Sequence, residues 1–202
     1  MRFSPTLPPE EAARAHFYAL LARLFYAAPD AALLAALAGA DEIVSEGADD
    51  AEGAGLALAW RDLTLAAAAA EAAAVEQEYQ DLFVGVGKAQ VSIYASAYLA
   101  KSLADAPLVE LREYLAKRQI ARLTSVHEPE DHFAALCELM RYLIAEQQAP
   151  LEEQTSVFEQ YLKPVIDPLC DAVCQLDEAK FYRSVARFAK SFFEVEYAVF
   201  RM

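Results

Sequence analysis

The stretch VHEPEDHF, residues 126 to 133, holds the densest set of groups in this chain that could do chemistry. It contains the carboxylates Glu128, Glu130 and Asp131, and two of the chain's three histidines, among them His132. Carboxylates and imidazoles bind metal ions and transfer protons. The segment could therefore be a metal site, an acid–base centre, or the start of a helix that a partner binds.

The spacing of these groups favours a helix start. Helical metal ligands usually stand four residues apart, and only Glu128 and His132 do so here. Pro129 suits the first turn of a helix, where its missing N–H loses no partner, and nearby carboxylates stabilise that end. We expect Pro129 to open a helix and no metal to bind. The alternative is a metal-dependent helical enzyme centred on Glu128, Asp131 and His132.

Other motifs of catalysis do not match. The segment VGVGKA, residues 84 to 89, resembles a phosphate-binding loop, but Leu82 stands where the first glycine belongs and Ala89 follows Lys88. No serine lies in a nucleophile-elbow context, and no cysteine has an evident activating partner. We therefore expect a protein that is not an enzyme and that carries no cofactor.

The cysteines and the hydropathy pattern indicate the cytoplasm. Cys137, Cys170 and Cys174 are an odd number without a dense framework, which is typical of a reducing compartment, and we expect buried thiols. The N-terminal residues lack the apolar region of a signal peptide. No apolar run reaches the roughly 18 residues that span a bilayer. We expect a cytoplasmic protein without stable membrane insertion.

The net charge limits the possible partners. The formal net charge is −14 and the pI is near 4.6. Such a chain is repelled by nucleic acid and by anionic lipid, and it favours cationic partners. Hydrophobic residues make up 56% of the chain, enough for a large core. We therefore expect a globular protein with no nucleic-acid partner.

The periodicity that must position these groups is helical throughout. We predict a single all-α domain over residues 1–202, with roughly eight to ten helices, an acidic loop at about 39–55 and a hinge at about 85–95. Residues 56–83 should form one long alanine-rich helix. The last helix should carry an apolar face from Phe181 onward, with Asp177 as its N-cap. We find no convincing period-two strand.

Aromatic residues surround the hinge. Tyr79, Phe83, Tyr94 and Tyr98 lie near it, with Asp81 among them. Aromatic rings beside acids suit an apolar peptide that carries basic residues. Phe83 and Tyr98 could equally belong to the core. A generic helical interaction module therefore also fits this segment.

Two motifs together resemble one family. The segment EYQDLFVGVG has the pattern Y-x-x-L-F-x-G at Tyr79, Leu82, Phe83 and Gly85, and about 40 residues later HEPEDHF has the pattern E-P-x-D-H. In this order they resemble the TorD/DmsD family of cytoplasmic redox-enzyme maturation chaperones. The all-α pattern and the length agree with that family, so the resemblance covers nearly the whole chain.

The resemblance implies a function and a site. Members bind the twin-arginine signal peptide of a molybdoenzyme catalytic subunit and assist its cofactor loading before export. The monomer or a domain-swapped dimer is expected. The resemblance also implies a structural role within the two motifs for four residues: Tyr79, Gly85, Glu128 and Glu130. The signal-peptide-binding residues carried over from the family are Leu82, Phe83, Tyr94, Pro129, Asp131 and His132.

Overall fold

The structure of the protein is a computed structural model that describes residues 7–44, 51–85, 87–99, 107–122 and 126–201. Within these ranges the chain forms ten α-helices and two π-helical turns. The helices are α1 Pro9–Tyr26, α2 Ala31–Ala38, α3 Ala51–Ala68, α4 Ala72–Tyr79, α5 Ser96–Leu99, α6 Pro107–Lys117, α7 Phe133–Ala145, α8 Leu151–Val157, α9 Lys163–Gln175 and α10 Phe181–Val199. The π turns are Gln80–Val84, which continues α4, and Phe158–Leu162, which joins α8 to α9.

The core lies between two layers of paired helices. Helix α1 packs along α7, and α10 packs against α3 and α9. Aromatic rings join the pairs: Phe17 of α1 lies edge-on to Phe188 and Phe192 of α10, at centroid distances of 5.4 Å each. Such edge-to-face contacts stabilise a core beyond the area that they bury. The apolar face predicted for the last helix is therefore confirmed.

The N-terminus of α10 is capped from another helix. Both carboxylate oxygens of Glu78 in α4 accept backbone N–H groups there: Oε1 from Lys180 at 2.9 Å and Tyr182 at 2.8 Å, Oε2 from Phe181 at 3.2 Å. A carboxylate at this position pairs N–H groups that have no partner within the helix. The prediction that Asp177 caps this helix was wrong, because the cap comes from a residue about 100 positions away.

The long alanine-rich helix predicted over residues 56–83 is interrupted. Helix α3 ends at Ala68, and Glu71 has an extended backbone before α4 begins. The carbonyl of Glu71 then accepts the N–H groups of Ala74 and Val75 and starts the new helix. Alanine favours a helix on both sides of this break, so local propensity carries no sign of it. The break lets α3 pack on α10 while α4 leads into the π turn.

The acidic loop is shorter than predicted. Residues 39–44 lie outside any helix, but α3 already begins at Ala51, so Gly53 and Gly55 are helical rather than part of a loop. Residues 45–50 fall outside the described ranges. The indole Nε1–H of Trp60 donates to the carbonyl of Asp41 at 2.8 Å, so α3 holds the near end of the loop.

The all-α class predicted from the sequence is confirmed. Across the described ranges no β-strand forms, and the one extended pairing is an isolated antiparallel bridge between Tyr94 and His132. In the same ranges, none of the helices combines the length and apolar character needed to cross a membrane. All three cysteines are free thiols; Cys137 and Cys170 are buried and Cys174 is partly buried.

Candidate functional site

The motif E-P-x-D-H forms a turn rather than the first turn of a helix. Helix α7 begins at Phe133, and the carbonyl of Pro129 accepts the N–H of His132 at 3.1 Å in the turn before it. The prediction that Pro129 opens the helix was therefore wrong. The N-cap is His132, whose Nδ1 accepts the N–H of Ala134 at 3.1 Å. Here an imidazole nitrogen accepts the hydrogen bond that a serine or aspartate side-chain oxygen usually accepts at a helix N-cap.

The hinge loop lies directly against this turn. Besides the bridge between Tyr94 and His132, the N–H of Ala95 donates to the carbonyl of Asp131 at 2.8 Å, and the N–H of Phe133 donates to that of Ile93 at 2.8 Å. Two segments almost 40 residues apart in sequence thus form one continuous surface. The structure brings together four of the predicted binding residues: Tyr94, Pro129, Asp131 and His132.

Asp131 is a buried carboxylate at the base of this surface. Its side chain keeps 4% exposure, and Oδ2 accepts the N–H of Ser96, the first residue of α5, at 3.1 Å. No second donor to this carboxylate is found among the described residues. A buried carboxylate is well suited to a guanidinium, which donates two parallel hydrogen bonds.

Tyr94 and Glu128 form a hydrogen-bonded pair at the edge of the site. The Tyr94 hydroxyl donates to Oε2 of Glu128 at 2.7 Å, and its ring stands edge-on to the His132 ring at 5.4 Å. The bond to the Glu128 carboxylate, together with partial burial, raises the pKa of Tyr94 to about 12. The phenol is therefore a fixed donor at neutral pH, and it orients Glu128.

His132 is held neutral. Burial lowers its pKa from the ordinary 6.5, and the nearby carboxylates of Glu128 and Asp131 oppose that shift only in part. Neutrality is also required by geometry, because Nδ1 must keep its lone pair for the N–H of Ala134. The His132 ring also lies edge-on to the ring of Tyr26, with 6.3 Å between the ring centroids, and Tyr26 is 48% exposed. Tyr26 extends the aromatic surface, although the sequence offered no sign of it.

The motif turn, the hinge, α5 and α6 line an open groove of about 470 Å³. Its polar groups come from the hinge and the motif turn, and its apolar wall includes Leu108 of α6 and Pro129. A groove with an apolar wall and a few placed polar groups can hold an extended peptide. The lining residues are Ser92, Tyr94, Ser96, Ala97, Leu108, Pro129 and Asp131.

Glu130 is engaged by arginines of this chain. Nε of Arg112 in α6 donates to Oε2 of Glu130 at 2.8 Å, and Nε of Arg122 lies 4.0 Å from Oε1. Partial burial acts to raise the pKa of Glu130, but a backbone hydrogen bond and Arg112 outweigh it, so the pKa is lowered. Glu130 therefore stays ionised, and it ties α6 to the motif turn.

The first motif is part of the core. Leu82 and Phe83 are 0% and 4% exposed, and the Phe83 ring contacts Tyr79 at 5.3 Å and Tyr182 at 5.1 Å. The Tyr79 hydroxyl donates to the carbonyl of Tyr26 at 2.8 Å. Leu82 and Phe83 do not reach the groove in this conformation, because the π turn directs them inward.

Gly85 closes the π turn. Its N–H donates to the carbonyl of Gln80 at 2.7 Å, and its φ of 68° with ψ of 167° is a region that only glycine adopts readily. A Cβ at this position would collide with the backbone of Lys88. The N–H of Val91 then returns to the carbonyl of Leu82 at 2.9 Å, so the hinge loop is anchored at its start.

The acidic and imidazole groups of the motif turn are engaged by groups of this chain. Among the described residues, no group of three or more His, Cys, Asp or Glu side chains is arranged to hold a metal ion. Glu128 accepts a hydrogen bond from the hydroxyl of Tyr94, and Asp131 accepts one from the N–H of Ser96. His132 accepts one from the N–H of Ala134. These hydrogen bonds fix the polar groups of the motif turn against the hinge and the start of α7.

The protein is thus an all-α helical protein with a groove between the motif turn and the hinge. Residues 49–171 match the family described as nitrate reductase delta subunit, and the chain belongs to that family. It is also 28% identical over 132 residues to the chaperone protein TorD of Aliivibrio fischeri. That match covers 59% of this chain and 60% of the relative's length. The resemblance to the TorD/DmsD family, drawn from two short motifs, is confirmed.

Proposed function

We propose that the protein is a cytoplasmic maturation chaperone for a redox enzyme, and that its groove binds the twin-arginine signal peptide of a molybdoenzyme catalytic subunit. The family relationship supports a chaperone and not an enzyme. The observation that carries the finer proposal is the buried carboxylate of Asp131 in the lining of the groove, beside an aromatic and apolar wall. In this role the chaperone shields the peptide while the client takes up its cofactor.

The chemistry of the groove matches both halves of such a peptide. A twin-arginine signal has a basic segment followed by an apolar segment. Asp131 offers a desolvated carboxylate for one guanidinium, where charged hydrogen bonds are stronger than in water. Tyr94, Leu108 and Pro129 offer apolar surface for the residues that follow. The net charge of −14 adds a long-range attraction to a basic segment.

Burial separates the predicted binding residues into two sets. Tyr94, Pro129 and Asp131 line the groove, and His132 supports it by capping α7 and by contacting the Tyr94 ring. We therefore assign peptide contact to the first three and a positioning part to His132. Leu82 and Phe83 act through the core, where they hold the π turn that presents the hinge.

The test is isothermal titration of a twin-arginine peptide into the wild type and Asp131→Asn. The asparagine retains an oxygen that can accept the N–H of Ser96, so the fold should lose less than about 1 kcal/mol. Binding should weaken by about 1.5–3 kcal/mol, on the scale of a charged hydrogen bond, which is roughly ten- to a hundred-fold in affinity.

The control is Asp171→Asn, which removes the same charge from the exposed end of an ion pair with Lys190, away from the groove lining. It should leave the affinity unchanged within about two-fold. A twin-lysine version of the peptide should bind the wild type more weakly, because lysine cannot donate the parallel pair of hydrogen bonds. Equal affinity of Asp131→Asn and wild type, with a large fall in melting temperature, would reject the binding role.

A further inference from the structure

Helix α6 is held against the motif turn mainly by side chains. Leu111 is its one buried residue in the structure, and Val109 is 52% exposed. At its far end the Tyr114 hydroxyl donates to Oε1 of Glu153 at 2.7 Å, and Arg118 pairs with the same carboxylate. At its near end it meets the turn through Arg112. Tyr114 and Leu115 also pack, partly buried, against the core, so packing fixes the far end of α6 more firmly than its near end.

The two arginines at the turn make different kinds of contact. Nη1 of Arg122 donates to the backbone carbonyls of His127 at 3.0 Å and Glu128 at 2.6 Å, so Arg122 shapes the turn itself. Arg112 contacts the turn through a carboxylate: its Nε meets Oε2 of Glu130 at 2.8 Å. The Arg112 side chain is 52% exposed, whereas that of Glu130 is 18% exposed. An incoming guanidinium can therefore replace Arg112 without disturbing the backbone.

We propose that Glu130 is a second guanidinium-binding carboxylate of this site, and that Arg112 is its internal occupant, displaced when an arginine of the client peptide binds. This inference rests on the proposed function. Glu130 directly precedes Asp131 in the chain; Asp131 lines the groove, and Glu130 is paired with Arg112 of α6, the helix that supplies Leu108 to the groove wall. Two carboxylates adjacent in sequence suit two adjacent arginines. The internal pair shows that a guanidinium fits Glu130 in the folded protein.

The exchange also affects the width of the groove. Leu108, which forms part of the apolar wall, lies four residues before Arg112 on the same face of α6. Release of Arg112 from Glu130 removes a contact between this end of α6 and the turn. The groove can then widen as the peptide enters, and the arginine of the peptide takes over the charge pairing that Arg112 gives up.

The expected effect is modest, because one exposed ion pair is exchanged for another. Removal of the internal competitor should raise the affinity for a twin-arginine peptide by about two- to five-fold, the range of one exposed ion pair. Removal of the Glu130 charge should lower it, and should also abolish the gain from changing Arg112. A purely structural role of Arg112 would not produce this coupling between Arg112 and Glu130.

The experiment is isothermal titration of a twin-arginine peptide into the wild type, Arg112→Gln, Glu130→Gln and the double variant. The matched control is Arg141→Gln, which makes the same change in net charge and breaks a surface pair with Glu138 at 2.8 Å on α7. Tighter binding by Arg112→Gln alone, lost in the double variant, supports the proposal. An equal gain in Arg141→Gln would show a general charge effect and overturn it.

The failure of this inference can be told apart from the failure of the proposed function. If the wild type binds the peptide, Asp131→Asn weakens binding and Arg112→Gln changes nothing, the function stands and the internal occupant is rejected. If neither the wild type nor Arg112→Gln binds the peptide, both are rejected. Thermal melts of each variant confirm that the fold is retained, as expected for the loss of a half-exposed ion pair.

Discussion

Two arginine–glutamate pairs in this protein have opposite surroundings. In the core, Arg14 of α1 donates to Glu196 of α10 through Nε at 2.6 Å and Nη2 at 2.9 Å, and the two side chains are 9% and 0% exposed. At the groove, Arg112 and Glu130 meet at 2.8 Å with exposures of 52% and 18%. One arginine–glutamate pair thus joins α1 to α10 in the core, and the other joins α6 to the motif turn.

Burial decides what each pair does. The hydroxyl of Tyr18 also donates to Glu196 at 2.8 Å, so the buried carboxylate is fully engaged. Burial alone would lower the pKa of Arg14, but the hydrogen bond and the charge of Glu196 outweigh it and raise that pKa. Water screens the exposed pair, which makes it weak and exchangeable. The core pair fixes α1 against α10, whereas the groove pair can be replaced by a partner.

The largest effect should come from breaking the core pair. Glu196→Gln removes the buried carboxylate that faces Arg14 and leaves that arginine its ion pair with the partly exposed Glu11, and we expect the free energy of unfolding to fall by about 3–5 kcal/mol. Glu130→Gln, the same change at the groove, should lower it by less than about 1 kcal/mol. Urea denaturation of both variants measures the difference. Similar losses in the two variants would contradict the distinction between the regions.

Glycine gives a second comparison between the two regions. Gly85→Ala places a Cβ where the positive φ and the Lys88 backbone leave no room, and we expect a loss of about 1–3 kcal/mol in the free energy of unfolding. Gly55→Ala in α3 is the matched control, because beyond the adjacent residues and the nearby backbone of α3 nothing described lies within 4 Å of its added Cβ. Alanine there should stabilise the helix by about 0.5–1 kcal/mol. Equal effects would show that the hinge does not depend on this conformation.

A third, smaller effect should follow pH. The folded state lowers the pKa of His132 below 6.5, so it favours the neutral ring. Its contribution to stability is complete above about pH 6.5 and is lost as the pH falls through the lowered pKa, because the unfolded state then binds the extra proton. His132→Asn keeps an acceptor at the N-cap and removes the titration. The wild type should therefore lose more stability than this variant between pH 7 and pH 5.5.

The control for the pH effect is His127→Asn, since His127 is exposed. Its stability should depend on pH as that of the wild type does. Chemical denaturation at several pH values measures all three proteins. If His132→Asn and wild type lose stability in parallel, His132 is not the titrating group, and the groove would not differ from the core in its response to acid.

Much of the fold followed from local pattern. The apolar face predicted for the last helix from Phe181 onward is buried at Phe181, Val185, Phe188 and Phe192. Periodicity reports which face of a helix turns inward because that face repeats every 3.6 residues. It does not report interruptions between good helix formers, which is why the break at Glu71 was missed. The cap of α10 by Glu78 was not predicted, because no residue near α10 in the sequence indicates that α4 lies against its N-terminus.

The candidate site was predicted only in part, for the same reason. The motif residues Tyr94, Pro129, Asp131 and His132 were named before the structure and meet in it. Tyr26, Leu108 and Arg112 were not, since they come from α1 and α6 and carry no motif of their own. Leu82 and Phe83 match the family pattern, but a pattern of residue types cannot distinguish an apolar contact with a peptide from one with the core.

The sequence by itself determined the helical class, the excess of acids and the family, because composition, periodicity and short motifs are properties of neighbouring residues. Tertiary structure alone decided which glutamate becomes a buried partner of arginine and which stays exchangeable. Glu130 and Glu196 are the same residue type, and their difference lies in how much water the surrounding helices exclude. That exclusion depends on packing between segments more than 100 residues apart, which no local pattern contains.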